Sequence, residues 1–318
     1  MIPLRILVLG AGAVGGYLGS KLAASGCDVV FLARGNRLKQ LNDLGLVIHS
    51  PLGDSARPVA AAESPDPRFV PHLVILACKA PALQSAIMAV KPYVGPDTRI
   101  LPILNGISHL ETLRLQFPEN EMLAGIVHGA LTLQPDGVIQ HLSPFFTTIV
   151  GSATGRPDPV AARFIDCLRS VQVDARLSPE IHQELWNKFT FLATLAGVTC
   201  LMRSSVGTIM AVDDGRRLTE QLYQECLSVA ASEGFPPAPA VMDSYRSLLT
   251  AQGSSLTSSM LRDIERGQPT EGRHILGDML RRAKLHGIDA PILAVCKAHL
   301  DCYDYALQNA SLQSGEIR

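Results

Sequence analysis

Three glycines near the amino terminus constrain the fold more than any other feature of this sequence. They form the pattern Gly10-x-Gly12-x-x-Gly15 between an apolar run, residues 6–9, and a helical pattern, residues 13–25. In that context the glycines permit a tight turn, close approach of backbone to a pyrophosphate, and close packing of helix on strand. The loop therefore predicts a dinucleotide site, whereas an isolated pattern of this kind would also fit an ordinary glycine turn.

The first half of the chain alternates short apolar runs with helical patterns. Runs at 6–9, 29–32, 73–76 and 100–104 are apolar on both faces, as strands of a covered parallel sheet are. Helical patterns lie between or after them, at about 13–25, 35–44, 81–90 and 108–116. The alternation predicts an α/β fold with an N-terminal Rossmann-type, doubly wound parallel sheet. Pro102 is awkward in a central strand, so we expect its strand to begin late or to tolerate the missing N–H.

The pattern changes twice after this region. Residues 122–150 are β-rich around the turn 134–137 and predict an antiparallel extension, followed by a helix at 158–170 and a strand near 171–175. From residue 178 onward strand patterns are absent, and helical patterns run at about 179–196, 214–233, 238–251, 255–266, 271–286 and 291–309. The sequence thus predicts a dinucleotide-binding Rossmann-type domain over 1–177 and an all-helical domain over 178–318.

Composition excludes several classes of partner. The net charge is −1 without long runs of one sign, so neither nucleic acid nor an anionic membrane is expected. The seven cysteines have no C-x-x-C spacing, which indicates neither a metal site nor a disulfide framework. Residues 5–13 resemble a short signal peptide but fit a buried strand better, and the apolar run 189–202 falls short of a membrane span. We expect a cytoplasmic protein, and the sequence leaves open whether it forms a homodimer.

Arg34 identifies the expected cofactor. It follows the second strand, where an NAD-dependent protein usually has a carboxylate for the ribose 2′-hydroxyl, and no acid lies within 32–37. A guanidinium offers a fork of donors suited to a 2′-phosphate. Arg34, with Arg37 as a second candidate, therefore predicts NADP(H). The alternative is that both are solvated loop arginines.

Three further polar residues stand at positions where chemistry is expected. Lys79 and Asn105 follow the strands 73–78 and 100–104, and ligands gather at the carboxyl ends of such strands. Taken singly, Lys79 fits a solvated lysine at a strand end better, and Asn105 fits an Asn-Gly turn better. Lys188 precedes a helix segment that is apolar on nearly every side, so burial would lower its pKa and make it a proton donor near neutral pH. Alternatively it reaches solvent along its stem.

Several motifs together resemble those of the ketopantoate reductase family, at matching order and spacing over about residues 4–305. The motifs are the glycine loop (Gly10, Ala11, Gly12, Ala13, Val14, Gly15), Cys78-Lys79-Ala80-Pro81 with Gln84, Leu104-Asn105-Gly106, Glu184-Leu185-Trp186-Asn187-Lys188, and Ser258-Ser259-Met260-Leu261-x-Asp263 with Thr270-Glu271. The resemblance implies a Rossmann domain joined to a helical domain, with NADPH and a small 2-oxo acid between them. It also implies reduction of 2-dehydropantoate to (R)-pantoate, a step toward pantothenate and coenzyme A.

The resemblance also implies roles for individual residues. Lys188 would be the general acid that protonates the carbonyl oxygen, and Glu271 would bind a substrate hydroxyl or the cofactor and hold Lys188 in place. Asn105 and Lys79 would line the junction of nicotinamide and substrate. Ser259 would contact the substrate carboxylate.

The sequence departs from the family at three positions. Where family members usually carry asparagines that bind the substrate, this chain has Leu192, Ala196 and Val206. Because a buried hydroxyl without a partner is penalised by about 1–3 kcal/mol, a less polar 2-oxo acid is an alternative substrate. A third hypothesis, an NADP-binding protein without catalysis, is disfavoured by the retention of Lys188 and Glu271.

Overall fold

The fold was analysed in a computed structural model that describes residues 2–313. Two compact units are distinguished, one formed by residues 1–105 and 109–182 and the other by residues 106–108 and 183–318. The sequence predicts a boundary between residues 177 and 178, and in the structure residues 178–182 belong to the first unit. The short segment 106–108, which follows Asn105, belongs to the second.

Within the part of the chain that the structure describes, the first unit contains three sheets and five α-helices. Its strands are β1 (Arg5–Leu9), β2 (Asp28–Leu32), β3 (Leu46–His49), β4 (Ser55–Arg57), β5 (Ala60–Ala62), β6 (Leu73–Leu76), β7 (Arg99–Pro102), β8 (Leu123–His128), β9 (Leu131–Leu133), β10 (Ile139–His141), β11 (Thr147–Ser152) and β12 (Asp174–Leu177). Its helices are α1 (Ala13–Ala24), α2 (Gly35–Leu44), α3 (Leu83–Val90), α4 (Ser108–Gln116, whose first residue counts with the second unit) and α5 (Pro159–Ser170).

The largest sheet has the order β5-β2-β1-β6-β7, and all of its strands are parallel. This confirms the doubly wound parallel sheet. Pro102 is the last residue of β7, which lies at one edge of the sheet, so its missing N–H removes no central ladder bond. Helix α1 packs against β2 through Gly19, where an added Cβ would lie 2.2 Å from Cζ of Phe31.

The strands of the stretch 122–150 belong to two smaller sheets, and an isolated parallel bridge between Met122 and Ile100 of β7 joins the stretch to the large sheet. Strands β9 and β10 form an antiparallel hairpin around the turn 134–137. On its other side β10 pairs in parallel with β3, which in turn pairs antiparallel with β4. Strand β11 pairs antiparallel with β8 and parallel with β12. The expectation of antiparallel pairing in this stretch is therefore correct for the hairpin and for β8 with β11, although they lie in different sheets.

Described by itself, the second unit is helical. Its helices are α6 (Ile181–Met202, whose first two residues count with the first unit), α7 (Val206–Met210), α8 (Gly215–Ser232), α9 (Pro239–Leu249), α10 (Ser259–Glu265), α11 (Asp278–Leu285) and α12 (Pro291–Gln313). A π-helical turn, Arg273–Gly277, precedes α11. The helical C-terminal part predicted from the sequence is thus confirmed.

Helix α6 runs through the core of this unit. Over residues 2–313 it is the one helix that is long and apolar enough, by length and composition, to cross a membrane, and 67% of its most apolar window is buried inside the protein. It is longer than the run 189–202 judged from the sequence. Because the core helix of a globular protein meets the same criteria, the length of α6 is weak support for a membrane span.

Candidate active site

The glycine loop between β1 and α1 has the geometry that the sequence predicts. Gly10 has φ +98°, and a Cβ there would lie 2.6 Å from the backbone carbon of Ala77. A Cβ on Gly15 would lie 2.2 Å from the carbonyl oxygen of Gly10, whereas a Cβ on Gly12 would meet nothing within 4 Å. The outer two glycines are therefore required by packing. The middle glycine faces open space, where a ligand can approach the backbone.

The start of α1 adds an electrostatic contribution at the same place. Gly12 is the residue that caps this helix, and because glycine has no side chain, the cap itself offers no acceptor to the N–H groups of the first turn. The unpaired N–H groups and the helix dipole favour an anionic ligand there.

A cleft of about 300 Å³ lies beside the loop. It is lined by the end of β1 and the glycine loop, the end of β2, the start of α3 and one residue of β9: Leu9, Gly10, Ala11, Gly12, Leu32, Ala33, Arg34, Arg37, Ala82, Ser85, Ala86 and Leu133. The lining is mostly apolar with two guanidinium groups, which suits a nucleotide with a flat base and anionic phosphates.

The two arginines of the cleft differ in their environment. Arg34 is exposed, and none of the hydrogen bonds or ion pairs among residues 2–313 involves its guanidinium. Arg37 donates from Nε to the Ala11 carbonyl oxygen at 2.6 Å and from Nη1 to the Gly137 carbonyl oxygen at 2.8 Å. Burial lowers the pKa of the Arg37 guanidinium, which nevertheless stays charged. Arg34 thus has donors available for a ligand, and Arg37 already holds the loop.

Sheet register explains why the other expected residues lie near this loop. Leu9 pairs with Leu32 on one side and with Leu76 on the other, and Leu76 pairs with Pro102, so four neighbouring strands end at one level. The residues that follow these ends are Arg34, the glycine loop, Lys79 and Asn105, in the order of the strands across the sheet. With strands about 4.8 Å apart, the row from β2 to β7 spans roughly 14 Å. Lys79 is exposed and Asn105 is partly buried, and both make contacts within the protein.

In the second unit, Lys188 lies in the middle of the core helix α6. Burial lowers the pKa of its ammonium to about 8, and the negative charge of Glu271 acts in the opposite direction. The residue as a whole is half-buried. Its ammonium is therefore a cation that can release its proton near neutral pH.

Glu271 is held in place by its neighbours in the chain. Its side chain is 8% exposed. The preceding residue, Thr270, donates from its backbone N and its Oγ1 to the two carboxylate oxygens of Asp304, at 3.0 and 2.9 Å. The Glu271 carbonyl oxygen accepts from the backbone N of Ile275 in the π-helical turn. Sequence reasoning missed Asp304 and this turn, because a single carboxylate in a long helix gives no local signal of a distant partner.

Two of the three positions that depart from the family pattern lie on the same face of α6 as Lys188. Leu192 and Ala196 follow Lys188 by one and two turns on the same face of α6, and Leu192 keeps accessible surface. Val206 is buried at the start of α7. The face that carries Lys188 therefore continues with apolar side chains.

Ser259 and a pair of stacked aromatic rings also lie in the second unit. Ser259 is exposed at the start of α10, and within residues 2–313 no hydrogen bond joins it to Lys188 or Glu271. The capping residue of that helix is the buried Ser258, whose Oγ accepts from the backbone N of Leu261. Phe191 and Tyr245, which the sequence analysis did not single out, stack at 4.7 Å between ring centroids.

Comparison with known proteins identifies relatives along nearly the whole chain. A family model described as "Ketopantoate reductase PanE/ApbA" matches residues 6–155, and one described as "Ketopantoate reductase PanE/ApbA C terminal" matches residues 180–301. The chain is 35% identical over 302 residues to "Uncharacterized oxidoreductase YkpB" of Bacillus subtilis, which covers 95% of this chain and 99% of the relative.

Two further relatives have a named activity. A 2-dehydropantoate 2-reductase of Mesorhizobium japonicum is 26% identical over 289 residues, covering 84% of this chain and 88% of the relative. The crystal structure of 2-dehydropantoate 2-reductase from Methylococcus capsulatus superposes with a TM-score of 0.86 at 25% identity, covering 96% of this chain and 98% of the other.

Proposed function

The chain belongs to the ketopantoate reductase family of oxidoreductases, and from that premise we propose that it uses NADPH to reduce a 2-oxo acid to the corresponding 2-hydroxy acid. The observation that carries the proposal is the Lys188 ammonium, whose pKa burial lowers to about 8 beside Glu271. A positioned acid with a pKa near the operating pH is what general acid catalysis needs.

The chemistry of the reaction assigns each group a task. NADPH supplies the hydride when it is bound. Hydride addition to the carbonyl carbon builds negative charge on the carbonyl oxygen, which Lys188 stabilises and then protonates. A proton from solvent would restore the Lys188 ammonium before the next turnover. Glu271 holds the ammonium in position and is itself held through Thr270 and Asp304.

The first unit has residues that fit the cofactor. The space in front of Gly12 and the unpaired N–H groups of α1 fit a pyrophosphate, and the available donors of Arg34 fit a 2′-phosphate. Lys79 and Asn105, at the other end of the row of strand ends, would lie toward the nicotinamide. The assignment of Arg34 to the 2′-phosphate end and of Lys79 and Asn105 to the nicotinamide end rests on the order of the strands across the sheet.

Two substrates are candidates. The first is 2-dehydropantoate, on which the named relatives act, and its product would be (R)-pantoate. The second is a less polar 2-oxo acid, favoured by Leu192 and Ala196 on the Lys188 face of α6. These side chains give the 4-hydroxyl of 2-dehydropantoate no hydrogen-bond partner, and a buried hydroxyl without one costs about 1–3 kcal/mol.

The test measures loss of NADPH absorbance with 2-dehydropantoate and with a panel of branched 2-oxo acids. We expect turnover by the wild type, strong loss of turnover in Lys188→Ala, and nearly unchanged NADPH affinity in that variant. Lys284→Ala, which removes an exposed lysine of the same unit, serves as the matched control. NADPH binding without turnover of any of these acids would favour the non-catalytic alternative.

A further inference from the structure

We infer that Tyr245, stacked on Phe191, forms an aromatic wall beside Lys188 that selects 2-oxo acids with an aromatic substituent. The inference rests on the proposed function, because it assumes that Lys188 acts on the carbonyl of a 2-oxo acid. An aromatic 2-oxo acid is one form of the less polar substrate proposed above, and Tyr245 and Phe191 are the two residues that would select it.

The first observation is a narrow accessible window on a core helix. From Leu185 to Cys200, the residues of α6 that keep accessible surface are Lys188, Phe191 and Leu192, and the others are buried. The spacing of three and four residues places these side chains together on one face. A ligand that reaches the Lys188 ammonium from this side therefore meets apolar side chains next to it.

The second observation is the position of Tyr245. Its ring stacks on Phe191 with 22° between the ring planes, and the negative charge of Glu184 acts on its hydroxyl. Glu184 and Phe191 lie one turn before and one turn after Lys188 on the same face of α6. Because Tyr245 of α9 packs on Phe191, it covers the side of the accessible window that lies one turn after Lys188.

The chemistry of this wall favours a flat, apolar substituent. Phe191 and Leu192 offer neither a donor nor an acceptor, and aromatic faces interact well with other rings in offset or edge-to-face arrangements. Burial raises the pKa of the Tyr245 hydroxyl to about 12, with a further contribution from Glu184, so the wall is uncharged at neutral pH. A ring beside the carbonyl of the substrate would thus pack where a hydroxylated chain would lose its hydrogen bonds.

A second aromatic stack on the same helix provides a matched control. Trp186 stacks on Phe235 at 5.9 Å with 13° between the planes, and Trp186 is 4% exposed. Two residues from Lys188, it points to the opposite side of α6. Phe235→Leu removes an aromatic ring that packs on α6 without touching the accessible window.

The experiment compares specificity constants for phenylglyoxylate, phenylpyruvate, 2-oxoisovalerate and 2-dehydropantoate in the full chain. We expect the wild type to prefer an aromatic acid, and Tyr245→Ala to reduce kcat/KM for it by about tenfold or more, mainly through KM. The same variant should leave kcat/KM for 2-oxoisovalerate and the dissociation constant of NADPH nearly unchanged. Tyr245→Phe should keep the preference because the ring remains, and Phe235→Leu should not alter it.

The outcomes separate the inference from the proposed function. A wild type that reduces none of these acids would overturn the proposed function itself. Turnover that is best with an aliphatic acid, or a Tyr245→Ala variant that weakens all substrates equally, would overturn the aromatic wall alone. Loss of the preference in Tyr245→Phe would assign it to the hydroxyl and likewise overturn the wall.

Discussion

Arg37 donates a hydrogen bond of 2.6 Å from its Nε to the carbonyl oxygen of Ala11. Its Nη1 reaches the carbonyl oxygen of Gly137 in the turn between β9 and β10, while Gln40 donates to the Pro135 carbonyl oxygen in the same turn. One guanidinium therefore joins the glycine loop, α2 and the hairpin turn. Arg34, three residues earlier, is exposed at the same cleft.

This contrast predicts different effects for the two arginines. Arg34→Asp should lower the ratio of the NADPH to the NADH specificity constant by about tenfold to a hundredfold, since hydrogen bonds to charged groups contribute about 1.5–3 kcal/mol. Arg37→Lys should raise KM for both cofactors by a similar factor, because the loop loses its support whichever cofactor binds. Steady-state kinetics with both cofactors measures the ratio. If Arg37→Lys changed the ratio of the NADPH to the NADH specificity constant as much as Arg34→Asp does, Arg37 would also bind the 2′-phosphate.

The pKa of Lys188 predicts how activity depends on pH. A general acid must be protonated, so kcat/KM should fall as the pH rises through about 8. The charge of Glu271 raises this pKa, and its removal should lower it further. We therefore expect the alkaline limb to move to lower pH in Glu271→Gln. Glu265→Gln, an exposed carboxylate on α10, should leave the limb in place. An unchanged limb in Glu271→Gln would contradict the coupling of the two residues.

The glycine loop predicts two separable defects. A Cβ on Gly12 meets open space, so Gly12→Ala should fold with a loss of stability of at most about 1 kcal/mol, as expected of a helix cap, while NADPH binding weakens. A Cβ on Gly15 would lie 2.2 Å from the Gly10 carbonyl oxygen, so Gly15→Ala should lower the melting temperature clearly. Thermal unfolding measures the melting temperature. The fluorescence of Trp186, the single tryptophan, measures NADPH binding in a titration. Equal melting temperatures for the two variants would refute the packing argument.

A buried carboxylate of the second unit, Glu225, predicts an effect on stability. It is 7% exposed, and its two carboxylate oxygens accept from the backbone N of Ile292 at 3.1 Å and of Leu293 at 2.8 Å, at the start of α12. Glu225→Ala should lower the free energy of unfolding by about 2 kcal/mol, because one buried and one partly buried N–H group lose a charged acceptor. Glu220→Ala, which removes an exposed ion pair with Arg216, should change it by less than about 0.5 kcal/mol. Denaturant unfolding measures the difference.

Several elements escaped the sequence analysis for a physical reason. Strands β4 and β5 have three residues each, rich in alanine or polar side chains, and carry no alternation that would identify them. They exist because β3 and β2 offer them ladder partners. Likewise, the predicted helix 271–286 begins with a π-helical turn, and the periodicity of side chains does not resolve which carbonyl each N–H selects.

The sequence by itself determined the parallel sheet, the glycine loop and the helical second half. These follow from local rules, namely two-sided apolar runs, helical periodicity and the few residues that tolerate a positive φ such as that of Gly10. It also placed Arg34 and Lys188 at positions where their chemistry is useful.

Only the tertiary structure decided what the environment of each group is. The lowered pKa of Lys188 arises from burial and from Glu271, 83 positions later in the chain, and the role of Arg37 arises from carbonyl groups at Ala11 and Gly137. The stacking of Tyr245 on Phe191 arises in the same way. Desolvation and hydrogen bonding depend on atoms brought together from distant segments, so no local pattern in the sequence reports them.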